Sequence, residues 1–511
     1  MKLKRMLSIL LLCALVLCMA GCKKTEEIAP ATTETPTTEA PRLTAQEQYA
    51  AARAVVDNAA NLSLRITEEK STTIGGETFL EESEQILSMT GRGTASLKIL
   101  LGESMDYGDA YGAIYQETYA DGMLYLLVDG AYRLAGNVDA QSYMNRLVPA
   151  VPVDASLYGS VEFIENDTIR FSQPAAAESW AMPEGAAFGN ASATVTLDDE
   201  GNLKQTTYNV SYDIGDSQVI RSVTVVVALD SAEILVPSDA VKYTKVQNIE
   251  AVRMSKQAMG FLKQAKVINS AGNESISSMA NGMVRNQNTM IVLDKSNELN
   301  AKVGTNVMLG SYMTSESQAF VQEELYQNGM YSVAINGGEP TQKPEVTADV
   351  ILQYCTTAFE AHLVGVECWK NVAVQEMDDQ YLVTVTFNEE MTTRVRKYIS
   401  QAMFSDENAL SLLAPNSNTV EISGTFAVDK VTGLPMSASY RYAATDIMDG
   451  QEYMMLLESG QTYQIAGVSG TAQETAPAET VAATEEATVP AETTDATEAV
   501  ETTAETEATA A

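Results

Sequence analysis

The residues best able to do chemistry in this chain are one histidine, His362, five cysteines, at positions 13, 18, 22, 355 and 368, and 68 carboxylates. A single imidazole excludes a zinc site built on several histidines and the HExxH arrangement, which places two on one helix face. It could act as base to a nucleophile, but no GxSxG elbow or reactive-cysteine pattern accompanies it. His362 sits in Ala361-His-Leu-Val-Gly, which reads as the end of a helix, where the dipole favours an imidazole. No P-loop, dinucleotide fingerprint or EF-hand loop is present. Asp198-Asp199-Glu200-Gly201 has the chemistry of a hairpin turn and lacks the ligand spacing of a calcium loop. No spacing among the carboxylates singles out an acid–base pair. The sequence therefore predicts a non-enzyme, with no catalytic residue, metal ligand or cofactor.

The N-terminus is more specific. Lys2, Lys4 and Arg5 precede an apolar run, Met6 to Met19, that ends in Met19-Ala20-Gly21-Cys22. The run falls short of the roughly 20 residues that span a bilayer and closes on small residues, as a cleaved export signal does. The tetrapeptide resembles the lipobox of bacterial lipoproteins, with methionine where leucine is commoner. That resemblance implies a signal region over residues 1–22, cleaved so that Cys22 heads the mature chain. It also implies a thioether-linked diacylglycerol and an amide-linked acyl chain on Cys22. At about 0.8 kcal/mol per buried methylene, two or three chains hold a protein on a membrane. The expected location is the extracytoplasmic face of the cell membrane. Cys13 and Cys18 would leave with the signal. Cys355 and Cys368 remain, and export permits a disulfide between them. Two separate buried thiols are the equal alternative, because spacing alone does not bring two Cβ atoms together.

The 511 residues include 68 acidic and 32 basic side chains, a net charge of -36. Nucleic acid is thereby disfavoured as a partner, as is an extensive grip on anionic headgroups. Part of the acidity lies outside any core, since Ala466 to Ala511 holds ten Asp or Glu and no Lys or Arg. Residues 23–43 and 466–511 are Thr-, Ala-, Glu- and Pro-rich. They cannot bury enough apolar surface to offset ordering entropy and are expected to be a flexible linker and tail.

The intervening residues read as one module written twice, 44–245 and 246–465. Glu117-Thr-Tyr-Ala-Asp-Gly-Met-Leu-Tyr-Leu-Leu-Val-Asp-Gly130 aligns with Glu324-Leu-Tyr-Gln-Asn-Gly-Met-Tyr-Ser-Val-Ala-Ile-Asn-Gly337. Thr194 to Asp198 aligns with Thr425 to Asp429, and Tyr208 with Tyr440. The growing offset places an insertion near Asn388 to Leu412. Each copy opens with a helix, capped by Thr44 or Asn248. Strands follow, at Leu62–Thr67, Phe79–Met89, Ser96–Leu101, Ala113–Tyr119 and Met123–Val128 in the first copy. The Asp-Gly and Asn-Gly pairs at 121–122, 129–130, 328–329 and 336–337 predict tight hairpins. A second helix follows, near Asp139–Leu147 or Ala348–Leu363, then more strands. The fold class is α+β: two tandem curved antiparallel sheets, each a half-barrel with helices on its concave face.

Within the insertion, Met391, Val395, Tyr398, Ile399, Ala402 and Met403 fall on one helical face, with Asn388 as cap and Glu389 and Glu390 at the positive end. Such a helix covers a sheet, or closes a cavity as a lid formed by Met391, Val395, Tyr398, Ile399 and Met403. Fifteen of 23 methionines lie after residue 250; methionine fills cores and also suits adaptable apolar surfaces.

The lipobox, leading helix, DG-rich strand pairs and a helix before a long strand (Val372–Phe387) together resemble the outer-membrane lipoprotein carrier and the LppX and LprG lipoproteins. That resemblance implies a curved half-barrel holding acyl chains. It transfers no functional residue, since those proteins recognise lipid by cavity shape. The duplication and the acidic tail depart from the single-domain pattern. The expected function is a membrane-anchored, non-enzymatic envelope lipoprotein binding a lipid or other apolar ligand, preferentially in the second module. The alternative is a surface protein- or glycan-interaction module with solid sheets.

Overall fold

The computed structural model describes residues 43–108, 110–149, 153–174, 182, 185–230, 233–278, 282–311, 313–314, 316–404, 422–466 and 468–469. Cys22 and the expected signal region, nearly all of the expected 23–43 linker and almost the whole expected tail lie outside these residues.

A compact unit begins at Ala45. Helix α1 (Ala45–Asn58) starts directly after Thr44 and leads into strands β1 (Leu62–Ile74), β2 (Glu77–Thr90), β3 (Lys98–Tyr107), β4 (Tyr111–Ala120), β5 (Met123–Val128) and β6 (Tyr132–Asn137). Helix α2 (Ala140–Arg146) precedes β7 (Tyr158–Phe163), β8 (Thr168–Pro174), β9 (Ala187–Leu197), β10 (Leu203–Ile214), β11 (Ser217–Ala228) and β12 (Thr244–Lys245). The pattern then restarts with α3 (Ala251–Gln264), β13 (Val267–Ser278), β14 (Met283–Asp294), β15 (Asn300–Ser311), β16 (Ser317–Gln327), β17 (Met330–Ile335) and β18 (Thr341–Gln342). Helix α4 (Ala348–Glu360), β19 (Trp369–Glu376), β20 (Gln380–Phe387), α5 (Glu389–Phe404), β21 (Ser423–Asp429), β22 (Pro435–Met448), β23 (Gln451–Ile465) and β24 (Val468–Ser469) complete it.

Each copy forms one curved, unclosed sheet. In the first, β1 lies between β2 and β11, with β3 to β6 running outward on one side and β10 to β7 on the other. In the second, β13 lies between β14 and β23, with β15 to β18 and β22 to β19 in the same order. Every pairing is antiparallel except one: β12 adds two residues parallel to β6 at the first sheet's edge.

Local chemistry repeats with the topology. The pairs Asp121-Gly122, Asp129-Gly130, Asn328-Gly329 and Asn336-Gly337 all have positive φ at both residues, the backbone that type I′ hairpins need and that Asn, Asp and Gly tolerate. Asp129 Oδ1 accepts the Ile114 N–H at 2.9 Å, and Asn336 Oδ1 accepts the Val321 N–H at 2.8 Å. Tyr208 pairs with Ala193 on β9 and Tyr440 with Gly424 on β21, the same register in both copies. The insertion is α5, between β20 and β21; the stretch 405–421, which holds the end of the expected insertion, is outside the described residues.

Two expectations change. The strand expected over Val372–Phe387 is a hairpin, β19 and β20, turning at Met377-Asp378-Asp379. Asn248 accepts the Glu250 N–H at 3.1 Å, and the helix itself begins at Ala251.

The leading helices explain how the copies join. Ala45, Tyr49, Ala52 and Val56 of α1 are buried, and their counterparts 206 residues on, Ala251, Ser255, Ala258 and Leu262, are buried in α3. Tyr49 seals this packing in the first module, edge-on to Phe171 and bonded to the Val153 carbonyl at 2.5 Å. Helix α3 also buries Val252, Gly260 and Phe261, positions that are exposed in α1 as Gln46, Ala54 and Val55. This second face packs on β3 and β4 of the first sheet, while the first packs on β19 and β22 of the second. The second copy's leading helix thus covers part of the inner face of each sheet.

Candidate functional site

A pocket of about 500 Å³ lies where α3, the end of α4 and α5 meet. Its apolar lining comes from Met259 of α3, Leu363 and Val364 after α4, and Met391 and Val395 of α5, with Tyr398 and Tyr440 beside them. Tyr111 of the first module completes one wall. Of the five residues expected as a candidate lid, Met391, Val395 and Tyr398 line it, whereas Ile399 and Met403 lie in the hydrophobic core away from it. Helix α5 starts where it does because Asn388 Oδ1 accepts the N–H groups of Glu390 and Met391, at 3.0 and 3.3 Å.

The pocket's polar side is of mixed charge, with Lys256, Lys263 and Arg394 beside Glu360 and Glu367, and each cation is paired. Lys256 Nζ lies 2.7 Å from Asp129 and Lys263 Nζ 2.8 Å from Glu360. Both ammonium groups stand over the Tyr111 ring, 5.5 and 5.3 Å from its centre. Burial would lower the Lys256 pKa, but Tyr111 and Asp129 outweigh it and the amine stays charged. Arg394 lies 2.7 Å from Glu390. Tyr398 donates to Glu274 at 2.6 Å, which Arg285 also meets at 2.6 Å; desolvation nevertheless raises the Glu274 pKa.

The helix does not lie loose. Arg396 is buried and ion-paired with buried Asp446, whose second oxygen accepts the Tyr442 hydroxyl at 2.5 Å. Desolvation outweighs these partners and raises the Asp446 pKa.

His362 follows α4, and its ring nitrogens meet Gln461 Oε1 at 2.9 Å and Ser459 Oγ at 2.7 Å. Burial pushes its pKa down to about 4, so desolvation overrides the helix dipole and the ring is neutral at pH 7. Its task is to pin the turn after α4 to β23. Cys355 and Cys368 are free, buried thiols, and burial pushes both up to about 11; a proton held that tightly makes both inert at pH 7. Among the described residues no group of three or more His, Cys, Asp or Glu is arranged to hold a metal ion.

The first module's inner face is occupied differently. Its remaining space, about 340 Å³, is lined by Glu68, Lys70, Glu81, Ser83, Met105, Tyr212 and Arg221. Glu68–Arg221 and Lys70–Glu81 pairs, at 2.7 and 2.6 Å, make it a polar chamber. Beside it, Arg253 of α3 ion-pairs with Glu103 and with Glu117 (2.6 Å) and lies 4.2 Å over the Tyr115 ring. Arg146 and the Tyr143 hydroxyl also meet Glu117. Burial would raise the Glu117 pKa; Arg253 and Arg146 together hold it at about 2.

Sequence reasoning missed α3 as a site element. The signal was there: in a chain of net charge -36, Ala251 to Gln264 carries Arg253, Lys256 and Lys263 and no acid.

No family model matches the chain, and no curated protein does. Among solved structures it is similar to LprF from Mycobacterium bovis, at 9% identity and a TM-score of 0.22, over 43% of this chain and 95% of that one. It is also similar to AttH from Nitrosomonas europaea, at 7% identity and a TM-score of 0.13, over 80% and 93%. Likenesses at these scores carry no functional argument. No helix among the described residues is long and apolar enough to cross a membrane.

Proposed function

We propose that this chain is a non-enzymatic, lipid-anchored envelope protein that holds an amphiphilic ligand, such as a fatty acyl molecule with an anionic head, between α3, the end of α4 and α5. The observation that carries this reading is the pocket's division into an apolar wall, Met259, Leu363, Val364, Met391 and Val395, and a rim of ion pairs in which Lys256, Lys263 and Arg394 stand among Glu360 and Glu367. Its volume of about 500 Å³ falls within the roughly 300–1,000 Å³ typical of small-molecule sites. The ligand would lie between helices and not within the first half-barrel, whose residual space is charged. Anchoring rests on Met19-Ala20-Gly21-Cys22.

The test is extraction of the purified full-length chain followed by mass spectrometry for lipid, with titration of a fluorescent fatty acid. Bound lipid and saturable uptake are expected. Val395→Trp, which fills the pocket, should abolish uptake while leaving circular dichroism unchanged. Lipid-free protein without uptake overturns the reading. Membrane attachment is checked separately: Cys22→Ser should release the protein from the membrane fraction.

A further inference from the structure

The two copies differ in what covers one half of their inner faces. In the first sheet, the inner residues of β2 to β5 lie under α3: Phe261 packs on Phe79 and Tyr107, with ring centres 5.4 and 6.0 Å apart, and Arg253 reaches buried Glu117. The second sheet has the same strands in the same register, with Glu324 at the place of Glu117, Leu309 of Tyr107, Phe320 of Ala113 and Ile335 of Val128. Among the described residues no third leading helix covers them. Leu309, Phe320 and Ile335 are 42%, 38% and 49% exposed, whereas Tyr107, Ala113 and Val128 are at most 2%.

Glu324 shows that this face is also electrostatically incomplete. It is 8% exposed and accepts hydrogen bonds from Gln322 Nε2 at 2.6 Å and the Tyr331 hydroxyl at 2.8 Å. Among the described residues no cation pairs with it. Glu117 has two: Arg146, replaced by Tyr354 at the matching place in α4, and Arg253, whose carrier helix has no counterpart among the described residues. A buried carboxylate is stabilised when a guanidinium meets it, because the low local dielectric strengthens the pair.

We propose that the inner face formed by Leu309, Phe320, Glu324 and Ile335 is the docking surface for an amphipathic helix of a partner protein, which presents an arginine to Glu324 as α3 presents Arg253 to Glu117. Charge selects this occupant over α1 of a second copy and over the chain's own tail. In a second copy, α1 would bring Glu47 to the position of Arg253, carboxylate against carboxylate. The tail from Ala466 carries no Lys or Arg at all. Asn336 stands where Asp129 binds Lys256, so the partner helix needs no lysine one turn after its arginine.

The internal template supplies the probe. A fluorescently labelled peptide of residues 249–266 is titrated onto the full-length chain in detergent and read by anisotropy. Saturable binding is expected, weakened about tenfold by Glu324→Gln and by an Arg253→Glu peptide, and lost in Phe320→Glu and, separately, in Ile335→Glu. Circular dichroism of both variants must match the parent. The proposal is overturned by absence of saturable binding, or by binding that neither Glu324→Gln nor Phe320→Glu alters. It is equally overturned if the chain self-associates without peptide and Phe320→Glu makes it monomeric, which would identify the occupant as a second copy. Uptake of fatty acid at this face in place of peptide overturns it too, and Val395→Trp separates that outcome from the pocket reading.

Discussion

The two sheets share strand order, turn chemistry and register, yet one inner face is closed and the other half open. The difference is a matter of position in the chain. Each leading helix packs on its own module, and α3 has a preceding module to pack on as well, while among the described residues no helix beyond the second module does the same. The acids record this history: Glu117 is enclosed by two arginines, and Glu324 is left with hydroxyl and amide donors.

Arg253→Ala should break the comparison most. It leaves Glu103 and Glu117 buried with too little positive charge, and removing one partner of a buried pair costs about 3–5 kcal/mol. Glu324→Gln in the same urea titration should change stability by less than about 1 kcal/mol, because no ion pair is lost. Equal effects would mean that the two carboxylates have equivalent surroundings.

Acidification should reach the same interface. The folded-state pKa of Glu117 is depressed from 4.5 to about 2. Its contribution is therefore complete above about pH 4.5 and is lost as pH falls toward 2. Two and a half units at 1.36 kcal/mol each bound that loss at roughly 3 kcal/mol. Asp446 has the opposite sign: with its pKa raised by burial, its contribution is greatest at low pH and declines as pH rises through the folded-state value. Thermal melts at pH 6 and pH 3 should therefore show a loss in the parent that is much reduced in Glu117→Gln.

What could be read from the sequence follows the range of the interactions. The four Asn-Gly and Asp-Gly hairpins, the Tyr208 and Tyr440 register and the Met391–Met403 stripe are local patterns, and each has its place in the fold. Strand β1 runs seven residues beyond its expected end at Thr67, because Glu68 and Lys70 broke the apolar alternation. Those two side chains face inward and are paired with Arg221, 153 residues away, and with Glu81 on the next strand. The double role of α3 was hidden for the same reason. Its first face repeats α1, whereas its second is legible only as Gly260 beside Phe261 and a run of unopposed cations, whose acids lie on β3, β4, the turn after β5 and the end of α4. Arg396 was equally opaque: it flanks the apolar stripe, and only β22 supplies Asp446.

Gly260→Ala should have the next largest effect. An added Cβ would lie 2.3 Å from the Tyr107 ring, and overpacking of a tight core costs about 1–3 kcal/mol. Alanine's helix propensity, worth about 1 kcal/mol over glycine, opposes this, so a net loss of up to about 2 kcal/mol is expected in urea titration. At the matching position of α1 an alanine, Ala54, already sits exposed, and Ala54→Gly should lose only the propensity term.

The finest distinction lies in the turns. Asp129→Asn makes the first module's hairpin identical to the second's at this position. The amide oxygen can still accept the Ile114 N–H, as Asn336 accepts that of Val321, so the turn itself should survive. What is lost is the Lys256 ion pair, in which Asp129 is one-third exposed. Partly exposed pairs contribute about 0.2–1 kcal/mol and are screened by salt. The substitution should therefore lower stability by less than about 1 kcal/mol at low ionic strength and by still less in 1 M salt. Asn336→Asp should be neutral under both conditions, because no lysine stands over that turn. A matching loss at both sites would show that Asp129 acts through its hairpin and not through α3, and would remove one of the contacts by which the second module's helix holds the first.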